Sequence, residues 1–348
     1  MDIRLSAEQE MFAAAAADIA AEVSGRWSLG RGPDTVSRPE PDAGSWRTIA
    51  EAGLLSLRLP ESAGGSDATC LDACIVAEQL GRHCVPAPAL GTLLLLEQLR
   101  LAGAGYELTE PIATGREIAA IALSRDLRGF ATEPSQAVAF DCAGAKTAVV
   151  LGDQAAFYPV EPRPSADLSR AFGELDTSAG PCRTVALAAG QDCGAADRLL
   201  SFALSLIAAD LLGVMQAALD GSVAHATARM QFGAPIGSFQ AIAHLAAECL
   251  VSVEATRSAV WYAAWATDNL PPAQAVLAAR AAKAFASVAG VEVTQTAVQI
   301  HGGMGMTWEA RPHLWLRRAH ASRRLFGDED AQYDVIARAQ LGQPGTEI

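Results

Sequence analysis

Apolar positions follow different rules in different parts of this 348-residue chain. In the first third, residues 6–23, 46–55, 71–80 and 89–101 carry apolar side chains at i, i+3 and i+4, the repeat of an amphipathic helix. Pro60 and the Ala63-Gly64-Gly65 run interrupt that repeat. Between residues 118 and 188 it gives way to short apolar runs, IAAIAL, AVAFDC, TAVVL, AAFYPV and TVALAA, separated by Gly, Pro, Asp and Ser. Such punctuation predicts a small β domain. Helical spacing returns over 195–230, 238–266, 271–300 and 314–339, and four long helices with short connections predict an up-and-down bundle. The expected fold is therefore mostly α with a small central β domain: an N-terminal helical domain at 1–117, a β domain at 118–190, and a C-terminal four-helix bundle at 191–348.

Residues 199–219 are apolar enough to be weighed as a membrane span, but they include Ser201, Ser205, Asp210 and Gln216. A central aspartate costs roughly 3 kcal/mol in lipid, so a buried bundle helix is expected and stable membrane insertion is not. The first residues lack a basic stretch followed by a cleavable apolar one, which argues against a secretory signal. Apolar residues make up 51% of the chain and aromatics only 6%, so Ala, Leu, Val and Ile must fill the helical core. A net charge of −13 without a basic run speaks against a nucleic-acid partner. The seven cysteines show neither CxxC pairing nor zinc spacing, so neither a disulfide framework nor a metal site is expected, and a reducing cytoplasmic location fits.

Two stretches carry candidate chemistry. RMQFGAPIGSFQAIAH, residues 229–244, ends a long helix with Arg229 and Gln231, turns through Gly and Pro, and enters the next helix at Phe239 and Gln240. Gly233 suits a helix C-terminal cap there. QIHGGMGMTWE, residues 299–309, ends another helix in glycines at 302, 303 and 305, which let backbone amides approach a ligand or adopt positive φ. A dinucleotide fingerprint of the Rossmann type fails, because Trp308 stands where its last glycine belongs and a helix precedes the run.

In this order the two stretches resemble the acyl-CoA dehydrogenase family, FAD flavoproteins with the same three-domain plan. The segment WRTIAEAGLLSLRLPESAGGSDATCLDACIVAEQLGR, residues 46–82, and the opening LSAEQEMFAAAAADIA extend the resemblance over nearly the whole chain. It implies that Arg229, Gln231, Phe232, Gln240, Gln299, Gly302 and Gly303 reach across a subunit interface to the ADP and pyrophosphate part of FAD. An arginine fork and free amides suit a pyrophosphate. His301 reads as a ring packed at the cofactor edge.

The family's reaction needs a carboxylate to take the α proton of an acyl-CoA thioester. Aligned on the family's pattern, one base position is Phe326 and the other is Ala203, neither able to accept a proton. Asp210 shares a helix face with Ala203 but lies about 10 Å further along the axis, and Glu329 is the sole local substitute. LTEP at 108–111 imitates the family's flavin-lining phrase; the true place of that phrase is ALSRDLRG, residues 122–129, without its Thr and Glu. The β domain is also shorter than the family's.

The chain thus resembles the shorter, degenerate subunit of bacterial heterotetrameric acyl-CoA dehydrogenases of steroid catabolism. The resemblance implies a homologous partner subunit that supplies the base, an acyl-CoA substrate and an electron-transfer acceptor. Two alternatives remain open at this stage: a self-sufficient homomeric dehydrogenase using a relocated acid, and a flavin-free binding or scaffold protein on the same fold. The acids Asp328, Glu329 and Asp330 read as the capped N-terminus of the last helix.

Overall fold

The computed structural model describes residues 4–27, 42–187 and 194–342. Among these residues the N-terminal part holds five α-helices: α1 (Ala7–Gly25), α2 (Ala43–Glu51), α3 (Cys70–Arg82), α4 (Ala89–Leu101) and α5 (Tyr106–Ala113). Local chemistry sets their starts. Ser6 with Gln9, and Thr69 with Asp72, form capping boxes that satisfy orphan amides at α1 and α3, while Asp42 caps α2. That cap moves α2 several residues upstream of the 46–55 expected from apolar spacing. Helix α5 was not expected, because it is short and contains Pro111; the LTEP sequence lies within it, with Leu108 and Thr109 buried.

The middle part is a sheet of six strands: β1 (Ala119–Ser124), β2 (Ala137–Phe140), β3 (Thr147–Leu151), β4 (Gln154–Arg163), β5 (Phe172–Leu175) and β6 (Arg183–Ala186). The order β3-β1-β2-β5-β4 closes on itself because β4 also pairs with β3, and β6 adds to β4. Among the described strands only β1 and β3 run parallel. Closure leaves a five-stranded barrel with β6 as its flap, which removes most exposed strand edges. The four residues of β5 escaped the sequence pattern, and the last two residues of the TVALAA run, 188 and 189, fall outside the described residues.

The C-terminal part comprises α6 (Ala195–Ala228), α7 (Gln240–Asn269), α8 (Pro272–His301), α9 (Pro312–Arg324) and α10 (Glu329–Leu341), with a small hairpin of β7 (Met230–Gln231) and β8 (Ala234–Pro235) between α6 and α7. Helix α6 is the axle of the protein: it packs on α3 on one side and on α7, α8 and α9 on the other, and its apolar stretch is almost wholly buried within the protein. At the α3 crossing the backbones touch. A Cβ on Gly213 would sit 1.9 Å from the Glu78 carbonyl oxygen, and one on Gly81 would sit 2.3 Å from that of Asp210.

One expectation fails here. Residues 314–339 are not a single helix: α9 stops at Arg324, and Phe326 and Gly327 follow with φ of +57° and +88°. Consecutive left-handed residues end an α-helix. Asp328 then caps α10, its side chain accepting from the Ala331 amide at 3.3 Å, with Glu329 and Asp330 in the first turn.

Candidate functional site

The two motif stretches end up side by side at one end of the bundle. Helix α6 ends at Ala228, and the Arg229 amide still donates to the His225 carbonyl at 2.8 Å while its own carbonyl accepts from Ile236 at 2.8 Å. Between those bonds the chain makes the β7–β8 hairpin. Its two turn residues, Phe232 and Gly233, both have positive φ, +53° and +79°, as a tight two-residue turn demands. Gly233 therefore serves the hairpin rather than a helix cap, because the helix has already ended five residues earlier. Phe232 is 94% exposed, edge-on to Phe239 at 6.1 Å between ring centres.

Helix α7 opens next to this hairpin without a side-chain cap, at Phe239. The positive end of a 30-residue helix and its first amides accordingly face outward near Arg229, with exposed Gln240 on the first turn. Among the described residues no carboxylate is paired with Arg229, which is exposed.

Helix α8 supplies the second stretch. It ends at His301, and Gly302 takes φ +62° and ψ −142°, a conformation that a side chain excludes. Gly302 and Gly303 are exposed, and a Cβ on either would meet nothing within 4 Å. Gly305 differs: it is buried, and a Cβ there would come within 2.8 Å of the Val298 carbonyl oxygen, so its smallness serves packing. Exposed Gln299 stands one turn before the glycines. The two stretches are held together by His225 and His301, whose rings stack with centres 4.4 Å apart. His301 Nδ1 lies 2.7 Å from the Ala297 carbonyl oxygen, which fixes that nitrogen as the donor. Burial lowers the His225 pKa, and His301 and Arg229 lower it further.

The two residues that the resemblance aligns with the base lie elsewhere, in the interior. Ala203 is fully buried in α6. Phe326 is 3% exposed, and its backbone is pinned on both sides: its amide donates to the Leu127 carbonyl at 2.6 Å, and its carbonyl accepts from Gln332 Nε2 at 2.5 Å. Its ring packs edge-on to Phe130 at 5.0 Å. Leu127 and Phe130 belong to the turn after β1, so an apolar ring and a hydrogen bond close the seam between barrel and bundle at this point.

The acids near these positions are engaged. Asp210 is fully buried, with Arg170 and Arg318 nitrogens 2.7 and 2.6 Å from its Oδ1 and the Ser322 hydroxyl donating to its Oδ2 at 3.1 Å. Burial alone would raise its pKa, but the two guanidinium groups outweigh that and hold it below the usual carboxylate range. Glu329 accepts two bonds from Arg323, one of them 2.8 Å long, and this pairing lowers its pKa. A carboxylate locked on arginine is a poor proton acceptor near neutral pH. The sequence reading missed Lys283, whose Nζ is buried beneath the α9–α10 loop and donates to Ser287 Oγ, Arg323 O and Gly327 O at 2.8, 3.0 and 3.1 Å. Burial pushes its pKa down to about 7. A lysine in the apolar run of α8 was the available signal.

Comparisons with known proteins bear on the family of the chain. The sequence profile of the acyl-CoA dehydrogenase N-terminal domain matches residues 6–105, and that of the acyl-CoA dehydrogenase C-terminal domain matches residues 195–341. Acyl-CoA dehydrogenase IpdE2 of Mycolicibacterium smegmatis is 35% identical over 82% of this chain and 84% of its own length. IpdE2 of Mycobacterium tuberculosis is 33% identical over 86% of each. Among solved structures, a variant of the Tcur3481-Tcur3483 steroid ACAD superposes with a TM-score of 0.82 at 25% identity, over 96% of this chain and 98% of that one. The ChsE4-ChsE5 complex from Mycobacterium tuberculosis gives 0.78 at 22% identity, over 99% and 100%. With both profiles matched in order and relatives aligned across the three parts of the fold, this chain belongs to the acyl-CoA dehydrogenase family.

Proposed function

We propose that this chain is the non-catalytic subunit of a heteromeric acyl-CoA dehydrogenase that desaturates a bulky, steroid-derived acyl-CoA between its α and β carbons. A homologous partner, two copies with two of this chain, holds most of the FAD and provides the carboxylate that removes the α proton. The observation that carries this reading is Phe326: a buried ring, pinned by its backbone to Leu127 and Gln332, occupies the position assigned to the base. Ala203 stands at the second position, and the two neighbouring acids considered for the task, Asp210 and Glu329, are bound by arginines.

The cofactor role rests on the exposed stretches. Bound FAD would accept the hydride from the β carbon and pass electrons on to an electron-transfer acceptor. What this chain offers is a grip on the cofactor's anionic half. Arg229 brings a charge with no carboxylate partner among the described residues, the uncapped start of α7 brings amides and the positive end of a helix dipole, and Gly302 and Gly303 leave their backbone open to close approach. Gln231, Gln240 and Gln299 add amides around them, and Phe232 offers an apolar face. Exposed Met230, Phe239, Met304 and Met306 border the same stretches, an apolar rim suited to burial against a homologous subunit.

The test is purification of the chain alone and together with its dehydrogenase homologue. The expected result is flavin absorbance near 450 nm and turnover of a CoA thioester only in the joint complex. A yellow, active homomer of this chain by itself would overturn the proposal, and a colourless, inactive complex would return the flavin-free alternative.

A further inference from the structure

Two histidines fasten the motif stretches to each other. The His225 and His301 rings stack with centres 4.4 Å apart and planes inclined by 22°, and Trp315 of α9 stands edge-on to His301 at 6.4 Å. Phenylalanine rings would hold the two helix ends together without a polar atom to satisfy. His301 uses its Nδ1 on the Ala297 carbonyl. His225 uses neither nitrogen: among the described residues no group hydrogen-bonds its ring, which is half-buried one helical turn before Arg229. Burial first, then His301 and Arg229, hold its pKa below the ordinary 6.5. The hairpin and turn that pack on the end of α6, residues 230–238, carry no charged side chain, and α9 presents the uncharged Trp315. In the first two turns of α7 the titratable group is His244, which lies 3.4 Å from the Gln240 amide nitrogen. A diphosphate beside Arg229 changes this balance, because its negative charge offsets the guanidinium and favours an imidazolium.

We propose that His225 is a further cofactor-holding residue of this chain: when the cofactor's diphosphate docks against the Arg229 stretch, the His225 ring takes one proton from solvent and stands as a second cation beside the guanidinium. The stack on His301 keeps the ring in place for that role. The inference rests on the FAD reading and deepens it, because it makes this chain's grip on the cofactor proton-linked. The proton is bound in the docked state and absent from the free one, so retention strengthens as pH falls from about 8 towards 6 and weakens as pH rises.

The experiment dilutes the joint complex at about pH 6, 7 and 8 and follows flavin release by fluorescence, for the native chain and for His225→Phe, which keeps a stacking ring and loses the titrating nitrogens. The native complex is expected to hold flavin about tenfold more tightly at the lowest pH than at the highest, as a roughly ten- to hundredfold gain in the proton affinity of His225 on docking gives. Retention by His225→Phe is expected to match the native complex at the highest pH and to change less than about twofold across the window. Calorimetry of flavin binding in two buffers of different ionisation enthalpy is expected to show proton uptake by the native complex that the variant lacks. An equal pH slope in the two complexes, or equal proton uptake, would overturn the coupling and leave the cofactor reading standing, whereas a complex without flavin at every pH would overturn both. Should His225→Phe fail to assemble, the neutral His225→Gln takes its place under the same criteria.

Discussion

Replacing Phe326 should reverse a familiar order of substitutions. Truncating a buried phenylalanine to alanine costs about 3–5 kcal/mol in lost burial and residual cavity. Glycine loses the same ring, and at an ordinary position it would cost a further 0.5–1 kcal/mol or so through backbone entropy. Position 326 is not ordinary. Its φ is +57°, and hydrogen bonds from its amide to Leu127 and from Gln332 to its carbonyl prevent relaxation to negative φ. A residue with a Cβ pays roughly 1–2 kcal/mol to remain there, and glycine does not. The difference leaves Phe326→Gly more stable than Phe326→Ala by about 1 kcal/mol. Urea unfolding followed by tryptophan fluorescence measures it: with a slope of roughly 3 kcal/mol per molar, the glycine midpoint should lie about 0.3 M above the alanine midpoint. An alanine variant as stable as the glycine variant, or more so, would refute the claim that the plug is held in a strained conformation by its backbone partners.

Other expectations concern the charged groups. Asp210→Asn leaves the buried Arg170 and Arg318 without their counter-charge and should cost about 3–5 kcal/mol of stability in the same urea assay; a loss under 1 kcal/mol would contradict the clamp described for it. Lys283 has a pKa lowered from 10.5 to about 7, so the unfolded chain binds the extra proton between those values. Its contribution therefore improves as pH rises from about 7 towards 10.5, and the stability of the native chain relative to Lys283→Met should increase over that window; a flat difference would count against the burial assigned to Lys283. Arg229→Ala in the joint complex should weaken FAD retention roughly 10- to 150-fold, as loss of a charge-assisted bond worth about 1.5–3 kcal/mol requires, measured by flavin released on dilution. Glu329→Gln should leave turnover of the complex within about twofold, since its carboxylate serves Arg323; loss of turnover would restore it as the base.

Much of the architecture was legible because it rests on local rules. Apolar spacing marked α1, α3, α4 and the bundle helices, Asp328 with its two following acids marked the start of α10, and the run of Gly and Pro marked the break after α6. What failed was short or interrupted. Helix α5 contains a proline, β5 is four residues long, and apolar spacing alone ran through the break at 325–328 that the following acids marked. Too few side chains report the period in such segments for it to outweigh neighbouring signals.

The candidate site divides along the same line. By itself the sequence determined the family, through two motifs in fixed order, and it determined that neither Phe326 nor Ala203 can take a proton, since side-chain chemistry does not depend on the fold. Only the tertiary structure decided what surrounds them. The stacking of His225 on His301 joins ends of helices more than seventy residues apart, Arg170 and Arg318 reach Asp210 from a barrel loop and from α9, and Leu127 supplies the carbonyl that fixes Phe326. A contact between distant segments leaves no period in either one. Its energy comes from desolvation and hydrogen-bond geometry that exist only once the segments have met.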